Sequence, residues 1–341
     1  MKSALSELVN ELAASGVVSA VSAVIGDGKR PLAESHAGWA DAQQTRPLAA
    51  RHRFDLASLT KPWTATLAAV LDRKGSLPLA LKVGEIWPDA PGRLARQPLE
   101  GLLRHRSGML AWRPLYRHLR HPRRVVDRLL REDSIGAPKP TYSDLGYILW
   151  ARGAEVVTGV PLPALLGRHV LRPLGLSTVE VEPDPGRSVA SLMGNAREIE
   201  LAADLGVRVG RLSGPPRGVA QDGNARFLGG FPGHAGLFAP ARALWRLGAE
   251  WLEPTRVLGA GSVVEALEGT GRYRLAWWRH NAVPRATRPL SAESFGHHGF
   301  TGSSLWIDPR RNRVAVLLAH RVAGDVDLDP WRRRFHQLAV A

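Results

Sequence analysis

Phe54-Asp55-Leu56-Ala57-Ser58-Leu59-Thr60-Lys61 is the stretch whose reading decides the fold of this 341-residue chain. After it, Leu59, Trp63, Leu67, Val70 and Leu71 recur at helical spacing until Gly75 ends the pattern. Pro62 has no N–H and belongs in the first turn of that helix. Ser58 is thereby expected at a helix N-terminus, where backbone N–H groups lack partners. Lys61 follows three residues later, about 5–6 Å away at Cβ on a helix. A serine hydroxyl is a weak nucleophile until a neighbour takes its proton. A lysine amine can do so when burial or nearby cations lower its pKa from about 10.4. Alone the pattern is weak, since 20 Ser and six Lys give about 0.35 chance matches to S-x-x-K. An N-cap serine followed by a surface lysine would explain it equally well.

Working outward, Val17–Ile25 and Leu32–Gly38 read as a β-hairpin across Gly26–Lys29. Leu5, Leu8, Val9 and Leu12 mark one face of a helix ahead of it. Residues 76–225 are rich in Leu, Ala, Arg and Pro and read as helices and loops. Strands are expected again at Tyr273–Trp278, Ser294–His298, Ser303–Asp308 and Val314–His320, with a polar turn at Asp308–Arg313. Trp331, Phe335 and Leu338 face inward from a closing helix. The expected architecture is α/β, one antiparallel sheet flanked by helices with a mostly helical lobe inserted. Residues 1–75 and 226–341 form the sheet domain in this reading, and 76–225 the lobe.

Two more segments bear on Ser58. Tyr142-Ser143-Asp144 precedes a new apolar pattern, and a tyrosine there could share the lysine proton or act as base. His297-His298-Gly299-Phe300-Thr301-Gly302 lies beside a predicted strand, whose edge can offer an N–H to an oxyanion. In this order the three segments resemble the S-x-x-K, Y-x-N and K/H-x-G motifs of the serine β-lactamase and penicillin-recognising hydrolase superfamily, nearest to its class C-like branch. Leu102–Met109, Asp222–Ala225, Gly233–Phe238 and Phe295–Pro309 resemble further stretches of that branch, so the likeness runs from about residue 5 to 338. It implies the β-lactamase/transpeptidase-like fold. It also implies Ser58 as the acylated nucleophile, Lys61 and Tyr142 as a coupled proton-handling unit, and His297 in the third motif. The N–H groups of Ser58 and Phe300 would form the oxyanion hole, and Asp144, His298 and Gly299 would meet substrate. Two positions depart from the pattern. Asp144 stands where many relatives have Asn, and a carboxylate cannot donate to a substrate carbonyl. His297 replaces Lys, and a neutral imidazole holds a carboxylate less strongly than an ammonium does.

Other candidates have plain readings. His105 and His234 sit among small and apolar residues and read as hydrogen-bonded structural histidines. His297 and His298 could pair on a metal, but no Asp, Glu or Cys stands near them in sequence. Asp222 and Asn224 fit turn chemistry as well as a pocket wall. Trp112, Trp277, Trp278 and Trp306 fit an apolar acyl pocket or ordinary packing. G-x-S-x-G, P-loop, G-x-G-x-x-G and H-E-x-x-H patterns are absent.

The chain has no cysteine, which excludes disulfides, thiolate nucleophiles and iron–sulfur clusters. Its formal charge is +15, yet six of its 46 basic residues are Lys and the rest Arg, a skew that points to codon bias. The run Arg117–Arg131 lacks interleaved aromatics and reads as a solvated face rather than a nucleic-acid site. Met1–Gly16 does not read as a signal peptide and no apolar run spans a bilayer, so a cytoplasmic protein is expected. The expected function is a serine hydrolase acting on a small-molecule ester or amide, with no metal or cofactor. A carboxylesterase on short-acyl esters ranks first, then a D-amino-acid peptidase or DD-carboxypeptidase, then a weak β-lactamase. The alternative from another class is a catalytically inactive basic binding protein.

Overall fold

In the computed structural model, residues 1–137, 140–191, 194–212, 217–322 and 326–341 are described. The first hairpin joins β1 (Val18–Gly26) to β2 (Pro31–Gly38). Its turn is closed by Asp27, whose carboxylate accepts from the N–H groups of Lys29 and Arg30, both at 2.7 Å. The next three strands are short: β3 (Phe54–Asp55), β4 (Glu180–Val181) and β5 (Leu237–Ala239). The chain ends with β6 (Trp278–Arg279), β7 (Phe295–His298), β8 (Ser304–Asp308) and β9 (Arg313–Arg321). The main sheet is antiparallel with strand order β2-β1-β9-β8-β7-β6, and a second sheet runs β3-β5-β4.

Side chains alternate across a strand, so each face of the sheet builds its own core. Ala315, Leu317 and Ala319 of β9 pack with Val21, Ala23 and Ile25 of β1 beneath Leu5, Leu8, Val9 and Leu12 of α1 (Lys2–Ala14). Val314, Val316 and Leu318 point the other way, into the larger core. That core takes Trp63 and Leu67 from α2 (Thr60–Arg73), Tyr147 and Trp150 from α3 (Asp144–Thr158), and Leu244 and Trp251 from α4 (Ala241–Leu252). The closing helix α5 (Asp329–Val340) returns Phe335 and Ala339 to the first face. Among the described residues, no helix is long and apolar enough to cross a membrane.

The architecture follows the expected antiparallel sheet with helices. One strand is shorter than its residues suggest. Of the Tyr273–Trp278 stretch only Trp278 pairs in the sheet, as the first residue of β6, while Tyr273 forms an isolated bridge back to Trp278. Ala276 has φ of 63° and the Arg274 N–H donates to the Trp277 carbonyl at 2.7 Å, so the chain folds back where a strand would extend.

Candidate active site

Ser58 lies in a single 3₁₀ turn, Ala57–Leu59, which feeds directly into α2. The turn begins at Ala57 with φ of 45°, a left-handed conformation that an alanine adopts only when held. Asp55 holds it. Its Oδ1 accepts from the Ala57 N–H at 2.8 Å and its Oδ2 from the Gln221 N–H at 2.6 Å. Burial pushes the Asp55 carboxyl up to about 6, and these two bonds work against that rise.

One turn into α2, Lys61 is fully buried at 0% exposure. Its Nζ donates to Ser58 Oγ at 2.9 Å and to the His234 carbonyl at 3.1 Å. Asp144 Oδ1 stands 2.6 Å away. That oxygen has no hydrogen-bond partner of good angle, so the contact is an ion pair rather than an aligned hydrogen bond. The rings of Tyr142 and Tyr147 lie 4.9 and 5.5 Å from the ammonium and complete its surroundings.

The Tyr142 segment is pinned from the lobe. Ser143 caps α3 by accepting from the Gly146 N–H at 3.2 Å, and its hydroxyl donates to the Leu110 carbonyl at 2.7 Å. Its N–H donates to His105 Nδ1 at 2.9 Å, and the Asp144 N–H donates to the Ala111 carbonyl at 2.8 Å. The His105 ring lies against Tyr142 with centroids 4.4 Å apart, which gives the Leu102–Met109 segment its physical role. Burial pushes the Tyr142 phenol well above its usual range, Asp144 adds to the effect, and a hydrogen bond with Ser58 opposes it. Tyr142 is therefore a neutral phenol at rest, a donor as much as an acceptor.

His297 is 0% exposed on β7 and packs behind Tyr142, so the structure does not put it where it would grip a substrate carboxylate. Its Nδ1 lies 2.7 Å from the His298 carbonyl, which can only accept, so Nδ1 carries the hydrogen. Nε2 then faces the Tyr142 hydroxyl at 3.5 Å as an acceptor. Burial, with Lys61 nearby, pushes the His297 imidazole down to about 3. His298 points to the opposite side of the strand, where its Nε2 accepts from Trp306 Nε1 at 3.0 Å. The next residue, Gly299, meets the turn of Ser58 closely. A Cβ there would sit 2.7 Å from the Leu56 carbonyl.

Two cavities open on Ser58, and Tyr142 and Phe300 line both. The narrower, 280 Å³, is walled by Trp112, Leu201, Ala235 and Asp144. The wider, 600 Å³, is bordered by Tyr273, Trp278, His298, Gly299 and Arg272. Of the four tryptophans singled out in sequence, Trp112 and Trp278 face cavities, while Trp277 and Trp306 are core residues.

The sequence reading did not foresee Asp222 and His234 as partners. The His234 ring donates from Nε2 to Asp222 Oδ1 at 2.9 Å while its backbone carbonyl receives Lys61. Asp222 is pulled down to about 2 by His234 and by the Ala225 N–H, against burial. The only trace in sequence was that both fall in stretches of family resemblance. Ligand atoms of Asp144, Asp222 and His234 lie within 4.8 Å of one another, close enough to hold a cation. The Lys61 ammonium already occupies the Asp144 side of that cluster.

Comparison with known proteins agrees with this fold. The Beta-lactamase family model matches residues 5–339. A relative in Escherichia coli (strain K12), named "Putative D-alanyl-D-alanine carboxypeptidase", is 28% identical over 230 residues, 60% of this chain and 50% of its own length. The chain thus spans about half of that relative. Among solved structures, a penicillin-binding protein homologue from Caulobacter crescentus superposes with TM-score 0.78 at 20% identity, covering 99% of this chain and 96% of its own. EstCE1, described as a hydrolase with promiscuous acyltransferase activity, superposes with TM-score 0.79 at 18% identity, covering 98% and 99%. With the family model matched over nearly its whole length, the chain belongs to the Beta-lactamase family.

Proposed function

We propose that the chain is a carboxylesterase that forms an acyl-enzyme on Ser58 from small or short-acyl esters. The observation that carries the acyl-enzyme is the 2.9 Å hydrogen bond from buried Lys61 Nζ to Ser58 Oγ at the mouth of both cavities. Ser58 Oγ attacks the carbonyl carbon and its proton passes to Lys61, beside which Tyr142 stands. The oxyanion is met by the N–H groups of Ser58 and Phe300, beside the end of β7. Tyr142, held as a phenol, donates its proton to the leaving oxygen. The resulting tyrosinate takes a proton from the water that releases the acyl group.

Preference for esters over amides rests on Asp144. A peptide or lactam amide side chain is recognised well by an amide that donates to its carbonyl, and the Asp144 carboxylate has no hydrogen to give. It is also engaged with Lys61. A short acyl chain fits the narrow cavity against Trp112, Leu201 and Ala235. A second reading, a D-amino-acid peptidase, is favoured by Arg272 on the border of the wide cleft, where a guanidinium suits a terminal carboxylate.

The test is hydrolysis of p-nitrophenyl acetate and butyrate beside nitrocefin and a D-alanyl peptide, with intact mass after a fluorophosphonate. One label on Ser58, with fastest turnover on the esters, is expected. Ser58→Ala should fold normally and lose turnover by about 10³-fold or more, since residual rates come from binding and the oxyanion hole. Turnover retained in that variant sinks the mechanism, and faster release of D-alanine moves the assignment to the peptidase.

A further inference from the structure

We infer that Asp144 is the terminal proton acceptor of a Ser58–Lys61–Asp144 relay, a positioning and charge-balancing residue that acts through Lys61. The inference rests on the acyl-enzyme reading of Ser58. It starts from a full count of the Lys61 donors. An ammonium has three N–H bonds, and three oxygens surround this one: Ser58 Oγ, the His234 carbonyl and Asp144 Oδ1. The Lys61–Asp144 contact is thus a buried ion pair, and its ammonium has no lone pair with which to accept the serine proton. Lys61 can take that proton only by giving one of its own away.

The two other neighbours cannot receive it. The His234 carbonyl is a backbone oxygen and Ser58 Oγ is the source. Asp144 Oδ1, 2.6 Å from Nζ and otherwise unpartnered, is the one basic atom in reach. The step balances. The Ser58 proton moves to Lys61 Nζ as a Lys61 proton moves to Asp144 Oδ1, and the Oγ–acyl bond forms. The site holds Lys61⁺ and Asp144⁻ before it, and Lys61⁺ and an oxyanion after it. Net charge inside the cleft stays at zero, which avoids isolating a charge in a poorly solvated site. When the tetrahedral adduct collapses, Tyr142 protonates the leaving oxygen and Asp144 keeps its proton. At deacylation Lys61 returns a proton to Ser58 Oγ as the Asp144 proton moves back to Lys61. An amide at position 144 could not serve, because it does not accept a proton in this range.

The other charged and titratable groups facing the pair do not substitute. Asp222 is bound to His234 Nε2 and to the Ala225 N–H and is held down at about 2. His105 and His297 are kept neutral by burial and by Lys61 itself. Tyr142 and Tyr147 are held far above neutrality as phenols. His234 presents its carbonyl, not its ring, to Lys61.

The relay fixes the pH dependence. With the Asp144 carboxylate in place, Ser58 has a proton acceptor through Lys61 at neutral pH. Without it, Lys61 must first lose a proton to solvent, so turnover is favoured by higher pH. The experiment measures kcat on p-nitrophenyl acetate and the rate of fluorophosphonate labelling of Ser58 from pH 4 to 10, for the native chain, Asp144→Asn and Asp144→Ala. The expected result is an acid limb displaced upward by about two units or more in both variants, with activity at pH 7 down about tenfold or more and recovering at high pH. Alkaline recovery also shows that the variant is folded. Should Asp144→Asn fail to fold, the labelling profile of Asp144→Ala decides. An acid limb left in place, or a change confined to KM, overturns the relay while the acyl-enzyme stands. No labelling of the native chain overturns both.

Discussion

At the scale of single residues, the proposed nucleophile Ser58 is only as well placed as the turn that carries it. Ala57 sits at φ of 45° because its N–H is tied to Asp55, and the other Asp55 oxygen is tied to Gln221. Replacing Asp55 with Ala removes both acceptors and leaves two buried N–H groups unpaired, each at a cost of about 1–3 kcal/mol. Asp55→Ala should therefore lose about 2–4 kcal/mol by urea denaturation, and Ser58 should label more slowly by a larger factor than the residual folded fraction explains. A loss under about 0.5 kcal/mol would show that the turn stands without Asp55. Nothing in the local sequence announced this role, because Gln221 is 166 residues away. The same holds for Asp222 and His234, whose ring and carboxylate meet only through the fold. By contrast, Ser58 and Lys61 were legible because both belong to one helical turn, where spacing alone sets geometry. His297 was legible as a motif position but not as a buried residue behind Tyr142, since burial is set by partners far along the chain.

At the scale of elements, legibility tracks length and periodicity. The hairpin β1–β2, the helices α1 and α2 and the pair β8–β9 carry enough alternation or helical spacing to be read directly. Strands β3, β4 and β5 have two or three residues, too few to show a period, and they exist because neighbours pair with them. The junction of β7 with the Ser58 turn bears most directly on the proposed oxyanion hole. Gly299 makes that contact possible, since a Cβ would come within 2.7 Å of the Leu56 carbonyl. Gly299→Ala must push the end of β7, with Phe300, away from Ser58. A displacement near 1 Å at a reacting centre costs on the order of 10²-fold in rate. The variant should lose kcat on the ester substrate by about that factor while its melting temperature moves by only a few degrees. Equal kcat in the variant would mean that the β7 end takes no part in holding the oxyanion.

At the scale of the whole molecule, the arginine-rich composition divides into two uses. Arg104 spans three carbonyls at the end of a helix and Arg332 reaches the Gly302 carbonyl from α5, so part of the positive charge is structural. In the run Arg117–Arg131, Arg124 is exposed and pairs with Asp127, while Arg128 is buried against Asp133 and Ser134. The histidines carry the larger consequence for stability. His105, His297, His298, His320 and His336 are all pushed down by burial, to about 3 for His297 and about 4 for His336. A histidine whose folded pKa is depressed stabilises the fold above its unfolded value of about 6.5 and loses that contribution as pH falls. Below pH 6.5 the unfolded chain binds protons at these five rings that the folded chain resists, so they make stability rise with pH in that window. Asp55, raised to about 6, and Glu198, also raised by burial, act in the opposite direction, two carboxyls against these five rings. Each unopposed proton is worth about 1.4 kcal/mol per pH unit. The urea midpoint should therefore hold between pH 7 and 8, then drop steeply from pH 6.5 to 5, with several kcal/mol lost. Replacing His336 by Gln removes one of the five without touching the active site, and should make that drop shallower by about one proton. A midpoint that stays level from pH 7 to 5 would mean that these rings accept protons in the folded chain.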